Sequence, residues 1–147
     1  MKEGDCMFEV ELEEKAKENG LAVMLAQMIK DNIEKNKWKE KDALSIKANI
    51  SIYAVDSDVK VGISFNKKKC FIVDGEIFSP NIRIEANTVD LINLSRIKIV
   101  SPLHIPIIDK ESFDLVRKLL KREIKLQFCI KDLKNLFHLI RLLSVYP

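Results

Sequence analysis

The chain has 147 residues, 47% apolar and 32% charged, a balance that fits one folded domain and argues against intrinsic disorder. Its 25 basic and 22 acidic side chains leave a net charge of +3 with both signs interspersed, so the concentrated basic footprint of a nucleic-acid binder is missing. No apolar run reaches membrane-span length, and the opening MKEGDCMFEV has no secretory h-region, so a cytoplasmic protein is expected.

In chain order, Phe8, Leu12 and Ala16 recur at every fourth position and predict a helix, with Asn19-Gly20 as its C-terminal stop. A second helix carries Leu21, Met24, Leu25, Met28, Ile29 and Ile33 on one face, so residues 1–36 form a helical N-terminal part. The lysine-rich KNKWKEKD then reads as a solvated connection.

From Leu44 the period drops to two. Leu44, Ile46, Ala48, Ile50, Ile52 and Ala54 face one way, and polar side chains face the other. Val59, Val61, Ile63 and Phe65 resume the alternation after a DSD turn. NKKK leads into CFIV, and Ile82 and Ile84 follow a Pro-Asn. Residues 43–86 are therefore predicted to be an antiparallel meander of short strands.

The remainder, 87–147, reads as a short helix capped by Asn87 or Thr88, a proline-bearing extended segment, and a helix capped by Asp109 or Ser112. A last strand with Ile124, Leu126, Phe128 and Ile130 follows, then an amphipathic C-terminal helix with Leu133, Leu136, Phe137, Ile140 and Leu143. The expectation is a single α+β domain, its sheet covered on one face by helices.

Two stretches carry a resemblance: SPNIRIEANTVDLINLSRIKI, and later REIKLQFCIKDLKNLFHLIRLLSV. The order is a strand after Pro-Asn, a short leucine-rich helix, a charged alternating strand and an amphipathic helix ending in Leu-Leu-Ser. Over residues 21–145 this resembles the sterol-binding domain of the sterol carrier protein type 2 family, especially its small stand-alone prokaryotic members. The family has glycines flanking the last strand, at or near the positions of Arg122 and Phe128 here. The resemblance implies a five-stranded, largely antiparallel sheet with helices enclosing an apolar pocket for a fatty acid, acyl-CoA, phospholipid or sterol-like ligand. It implies binding of the ligand without catalysis, with transfer as a further role.

The expected lining is Met24, Met28, Ile63, Phe65, Phe113, Leu126, Phe128, Leu136, Phe137 and Ile140, each of which also reads as ordinary core. Arg83, Arg96, Arg117 and Arg141 are candidates for an acidic head group. Catalytic chemistry finds little support. His104 and His138 lack metal-type partners at helical spacing, the widely spaced Cys6, Cys70 and Cys129 make neither a disulfide framework nor a zinc knuckle, and no serine sits in a nucleophile elbow. No cofactor and no metal is expected. The alternative is a protein-interaction or dimerisation module without a ligand, and the pattern leaves room for a homodimer and for transient membrane contact. A hydrolase or isomerase using His104 or His138 is the third reading.

Overall fold

The computed structural model describes residues 7–96, 99–100, 105–106 and 110–144. Strand β1 (Glu9–Leu12) and a 3-10 turn (Lys15–Glu18) lead into helices α1 (Gly20–Lys35) and α2 (Lys37–Ser45). Four strands follow, β2 (Asn49–Ala54), β3 (Val59–Asn66), β4 (Lys69–Asp74) and β5 (Ile82–Ala86), and then α3 (Thr88–Leu94). A two-residue ladder of β6 (Ile99–Val100) with β7 (Ile105–Pro106) precedes α4 (Lys110–Leu120), β8 (Lys125–Phe128) and α5 (Leu133–Leu143).

The main sheet has six strands in the order β1-β4-β3-β2-β5-β8. It is mixed, with β1 parallel to β4 and β2 parallel to β5, and the other neighbours antiparallel. This corrects the five-stranded, largely antiparallel expectation in two places. Residues 9–12 are an edge strand and not part of a helix. In addition, β5 does not continue a meander but crosses over β3 and β2 to pair with β2.

That crossing explains why the second sheet face is not wholly wet. Residues 75–81 carry Ile77 over Gly62 of β3, where a Cβ would lie 2.8 Å from the Ile77 Cβ and 2.9 Å from Val73 Cγ2. Glycine is what allows this close approach. Ser51, paired with Gly62, is buried on the same face. Asn49 and Asn81 pin the end of the crossing, the Asn49 amide donating to Asn81 Oδ1 and the Asn81 amide to the Asn49 carbonyl, both at 2.8 Å.

On the other face the alternation holds. One row runs in register through all six strands: Leu12, Ile72, Ile63, Ile50, Ile82 and Phe128. Leu25, Ile29 and Ile33 of α1 and Leu136, Leu139 and Leu142 of α5 share one apolar cluster with its first five members. Each fully buried aliphatic side chain contributes about 2 kcal/mol through the area it removes from water. A second cluster joins Leu115 of α4 to Ala86 and Ile124, with Leu91 and Leu94 of α3 packed on both clusters.

Helix boundaries differ from expectation where polar groups do structural work. Asn19 does not stop a helix but starts α1, its Oδ1 accepting from the Ala22 amide at 3.2 Å while its Nδ2 donates to Asp74 Oδ1 at 2.8 Å. At α3 the cap comes from Asp56, whose Oδ1 accepts from both the amide and the hydroxyl of Thr88 at 2.9 Å. These bonds hold the Asp56 carboxyl below its usual pKa. Residues 37–45 are helix α2 and not a solvated connection, so β2 begins at Asn49 and not at Leu44. After α4, the Glu123 amide donates to the Lys118 carbonyl and the Arg122 amide to that of Leu119, with Arg122 at φ +59°. That is a Schellman closure with arginine where glycine is preferred.

Candidate lipid-binding site

Exposure along the inward row locates the place where the core opens. Ile72, Ile63, Ile50 and Ile82 have 0% exposure, so no water-sized space lies against them. Phe128, the next member of the row on edge strand β8, is 39% exposed. The adjacent row behaves alike, from buried Val61, Ile52 and Ile84 to half-buried Leu126.

The expected lining residues therefore divide. Ile63, Phe65 and Leu136 are closed core, and the Phe65 ring stacks on Phe8 with centroids 6.1 Å apart. Met24 and Met28 are half-buried on α1. Leu126 and Ile140 are half-buried against the main cluster, while Phe128 and Phe137 open to solvent beside them in sequence. Phe113 is exposed on α4 with Val116 and Leu120, at i, i+3 and i+7 on one stripe. The structure thus gathers Ile63, Phe65, Leu126, Leu136 and Ile140 into one cluster, of which Met24, Met28, Phe113, Phe128 and Phe137 are not members.

Two clefts flank α4. A groove of about 470 Å³ has Leu119, Ile124 and Leu126 as its apolar floor and Arg122, Lys125 and Gln127 as its polar rim. A second, of about 480 Å³, lies between α3 and α4, with Asn93 and Leu115 among the cations Arg96, Arg117, Lys118 and Lys121. Its acids are Asp90, Asp114 and Glu123. Lys118 donates to the buried Asp90 carboxylate, which holds its ammonium above the ordinary lysine range. Of the four arginines considered for a head group, Arg96 and Arg117 line this cleft. Arg83 is exposed on the opposite sheet face, in register with Ser51 and Gln127. Arg141 lies elsewhere.

Arg141 belongs to a charged seam between α2 and α5. Asp42 takes His138 Nδ1 at 2.6 Å on one oxygen and Arg141 Nε at 3.4 Å on the other. The Arg141 guanidinium stands 5.3 Å over the Trp38 ring and 5.8 Å over that of Phe137. Lys39, fully buried, donates to the Ser144 carbonyl, and Asn32 Nδ2 donates to that of Leu142 at 2.9 Å. Burial lowers the Lys39 ammonium to about pKa 8, with the Asp42 charge opposing the shift. Sequence reasoning missed this seam, although Lys39, Asp42, Ala43 and Ile46 have the i, i+3, i+4, i+7 spacing of a buried stripe. Two of the four positions are charged, which hid it.

Elsewhere the thiols separate clearly. Cys70 is buried in β4 and its thiol is pushed up to about 12 by burial, whereas Cys129 is exposed. Cys6, His104, Asp109 and Ser101 lie outside the described residues. Among the described residues no cluster of histidine, cysteine and carboxylate could hold a metal, and no helix is long and apolar enough to cross a membrane.

No protein-family model and no curated protein matches the chain. A solved structure described as "UbiJ-SCP2 Ubiquinone synthesis protein" does, with a TM-score of 0.58 at 12% identity, over 87% of this chain and 98% of that one. The fold is sterol carrier protein type 2-like. In this SCP2-like fold the inward rows are buried through β5 and more exposed on the edge strand β8.

Proposed function

We propose that this protein binds a lipid or acyl chain without catalysis, and that the chain lies along the β8 edge rather than through the middle of the core. The observation that carries the reading is the inward row of the SCP2-like sheet, solvent-tight through Ile82 and open at Phe128, beside a groove floored by Leu119, Ile124 and Leu126. Its volume of about 470 Å³ falls within the usual range for ligand sites, about 300–1,000 Å³. Each methylene transferred from water to such a floor gains about 0.8 kcal/mol, so a ten-carbon tail gains roughly 8 kcal/mol before ordering and association take back several. The arginine and lysine at the rim suit an acidic or polar head group. The solved neighbour's name adds a polyprenyl quinone to the ligands to be tried, beside fatty acid, acyl-CoA and phospholipid.

Native mass spectrometry of gently purified protein tests the reading, together with thermal shifts on adding each ligand. The expected result is co-purified lipid, or a melting temperature that rises with one ligand class and ceases to rise in Leu126→Asp. Neither bound lipid nor any shift with the panel overturns it.

A second reading, pairing with another protein or a second copy, draws on the exposed stripe Phe113, Val116 and Leu120 of α4. A concentration-dependent mass by light scattering that Leu120→Glu abolishes, with no ligand response, would favour it.

A further inference from the structure

Strand register brings five separate pieces of chain to one end of the sheet. The β3–β4 turn lies there, with Asn66 opposite Lys69. So does the entry to β2, since Asn49 opposes Ser64 and Lys47 exchanges two hydrogen bonds with Asn135 of α5. The entry to β5 and the exit from β8 meet at the Ile82–Phe128 pair, and Met7 precedes β1, whose Glu9 amide donates to the Lys68 carbonyl.

What these pieces display is unusual for free surface. Phe78 is 90% exposed, Ile130 88% and Leu133 52%. Around them stand exposed Lys47, Lys67, Lys68, Lys131 and Lys134. Among the described residues the acids of this end are largely occupied: Asp132 is buried, Glu40 accepts the Met7 and Phe8 amides, and Glu11 lies 3.6 Å from Lys69, leaving Glu9 exposed. The opposite end mixes signs: Asp56 and Asp58 in the β2–β3 turn, Asp74 at the end of β4 and Glu76 beyond it stand with Lys60, and Arg122 and Lys125 lie at the entry to β8. The two ends of the strands thus differ, with exposed apolar tips and lysines at one and carboxylates interleaved with cations at the other.

We infer that the lysine end is a docking face for an anionic lipid bilayer. Phe78 stands on the loop before β5, and Ile130 and Leu133 stand together where β8 passes into α5. They are suited to burial at the boundary of head groups and acyl chains while neighbouring lysines meet lipid phosphates. These five pieces of chain carry no arginine for base or phosphate forks, which weighs against nucleic acid. Phe128 closes the inward row at this same end, whereas the groove of Leu119, Ile124 and Leu126 lies toward the entry to β8, so the docking face and the proposed lipid site are separate surfaces. The inference takes its purpose from the lipid-binding reading but stands on different side chains.

Flotation of the full chain with phosphatidylcholine vesicles, with and without phosphatidylglycerol, tests it. The protein should float with the anionic vesicles at low salt and be released at high salt. Lys131→Gln combined with Lys134→Gln should weaken partitioning about thirtyfold, at about fivefold per lysine. Phe78→Ser with Ile130→Ser should weaken it while keeping the salt dependence. Lys15→Gln, outside this end, should change nothing, and circular dichroism should show all variants folded. No flotation, equal binding to neutral vesicles, an equal loss in Lys15→Gln, or a dimer abolished by Ile130→Ser each overturns the docking face. Flotation without co-purified lipid or ligand response would sink the lipid site and keep the face; bound lipid without flotation would do the reverse.

Discussion

The α2–α5 seam gives the sharpest physical test, because a fully buried lysine makes folding depend on pH in a definite direction. The Lys39 ammonium titrates near 8 in the folded protein against 10.5 in the unfolded chain. Between those values the unfolded chain holds more protons than the native one, so this group makes stability rise as pH rises. From pH 8 to pH 10 the increment is about 1–2 kcal/mol, the lower figure allowing for solvent screening near the helix ends. Cys70 works the other way. Its thiol stays protonated to about 12 when buried but ionises near 9 when unfolded, so it removes stability as pH passes 9. The wild-type profile alone would therefore look nearly flat.

The difference between wild type and Lys39→Met isolates the lysine, since Cys70 is common to both. At pH 7 methionine removes a buried charge but also takes one donor from the Ser144 carbonyl, and Asp42 keeps His138 and Arg141. Those effects oppose each other at about 1–3 kcal/mol each, so the variant should fold with stability close to wild type. In urea titrations, the wild-type midpoint should then gain on the variant by about 0.5–1 M between pH 8 and pH 10. Parallel profiles across that interval would refute the reasoning and mean that Lys39 is well solvated in the native state.

Three further outcomes follow from local geometry. Gly62→Ala should cost about 1–3 kcal/mol by overpacking against Val73 and Ile77, and Ile77→Ala should give no rescue because the clashing Cβ and amide remain; thermal unfolding checks both. Arg122→Gly should raise stability by about 0.5–1 kcal/mol, since the left-handed cost of an L side chain exceeds the extra chain entropy of glycine; a lower melting temperature would contradict the Schellman assignment. In a Cys6→Ser background, an aromatic disulfide reagent at pH 8 should label Cys129 quickly and Cys70 only after denaturant is added, counted by mass spectrometry.

The strand and helix that close the chain were legible from periodicity, though not the full set of side chains they bury. Leu126, Leu136, Ile140 and Leu143 join the main apolar cluster as expected, but Ile130 lies in the turn after β8 at 88% exposure, and the buried side of α5 runs through Leu136, Leu139 and Leu142 while Leu133 and Phe137 face solvent. Strand β1 was not, because Phe8, Val10 and Leu12 satisfy period two while Phe8, Leu12 and Ala16 satisfy period four. Only pairing with β4 decides between them. Helix α2 was hidden by charges in its buried stripe, paired across a seam that only the fold assembles. The parallel partner of β5 escaped notice because a Pro-Asn turn shows where the chain bends but not which strand it meets next. Of the candidate site, the inward residues were readable and the place where they open was not, since exposure along a row depends on which strand lies at the edge.

Those gradients separate stability from binding in a way that mutation can expose. Ile63 sits at the centre of the inward row with 0% exposure, and Ile63→Ala leaves a cavity that α1 and α5, held by the rest of the cluster, cannot fully collapse. The expected cost is about 2–5 kcal/mol, a large share of the stability of a domain this size. Phe128 has one strand neighbour and keeps a good part of its ring in water, so Phe128→Ser gives up less burial and should cost about 1–2 kcal/mol. If β8 is the ligand's wall, the weaker structural change must have the stronger functional effect. Phe128→Ser should lose most of the ligand-induced rise in melting temperature, whereas Ile63→Ala should start from a lower melting temperature and keep that rise. The reverse pattern would return the ligand to the centre of the sheet.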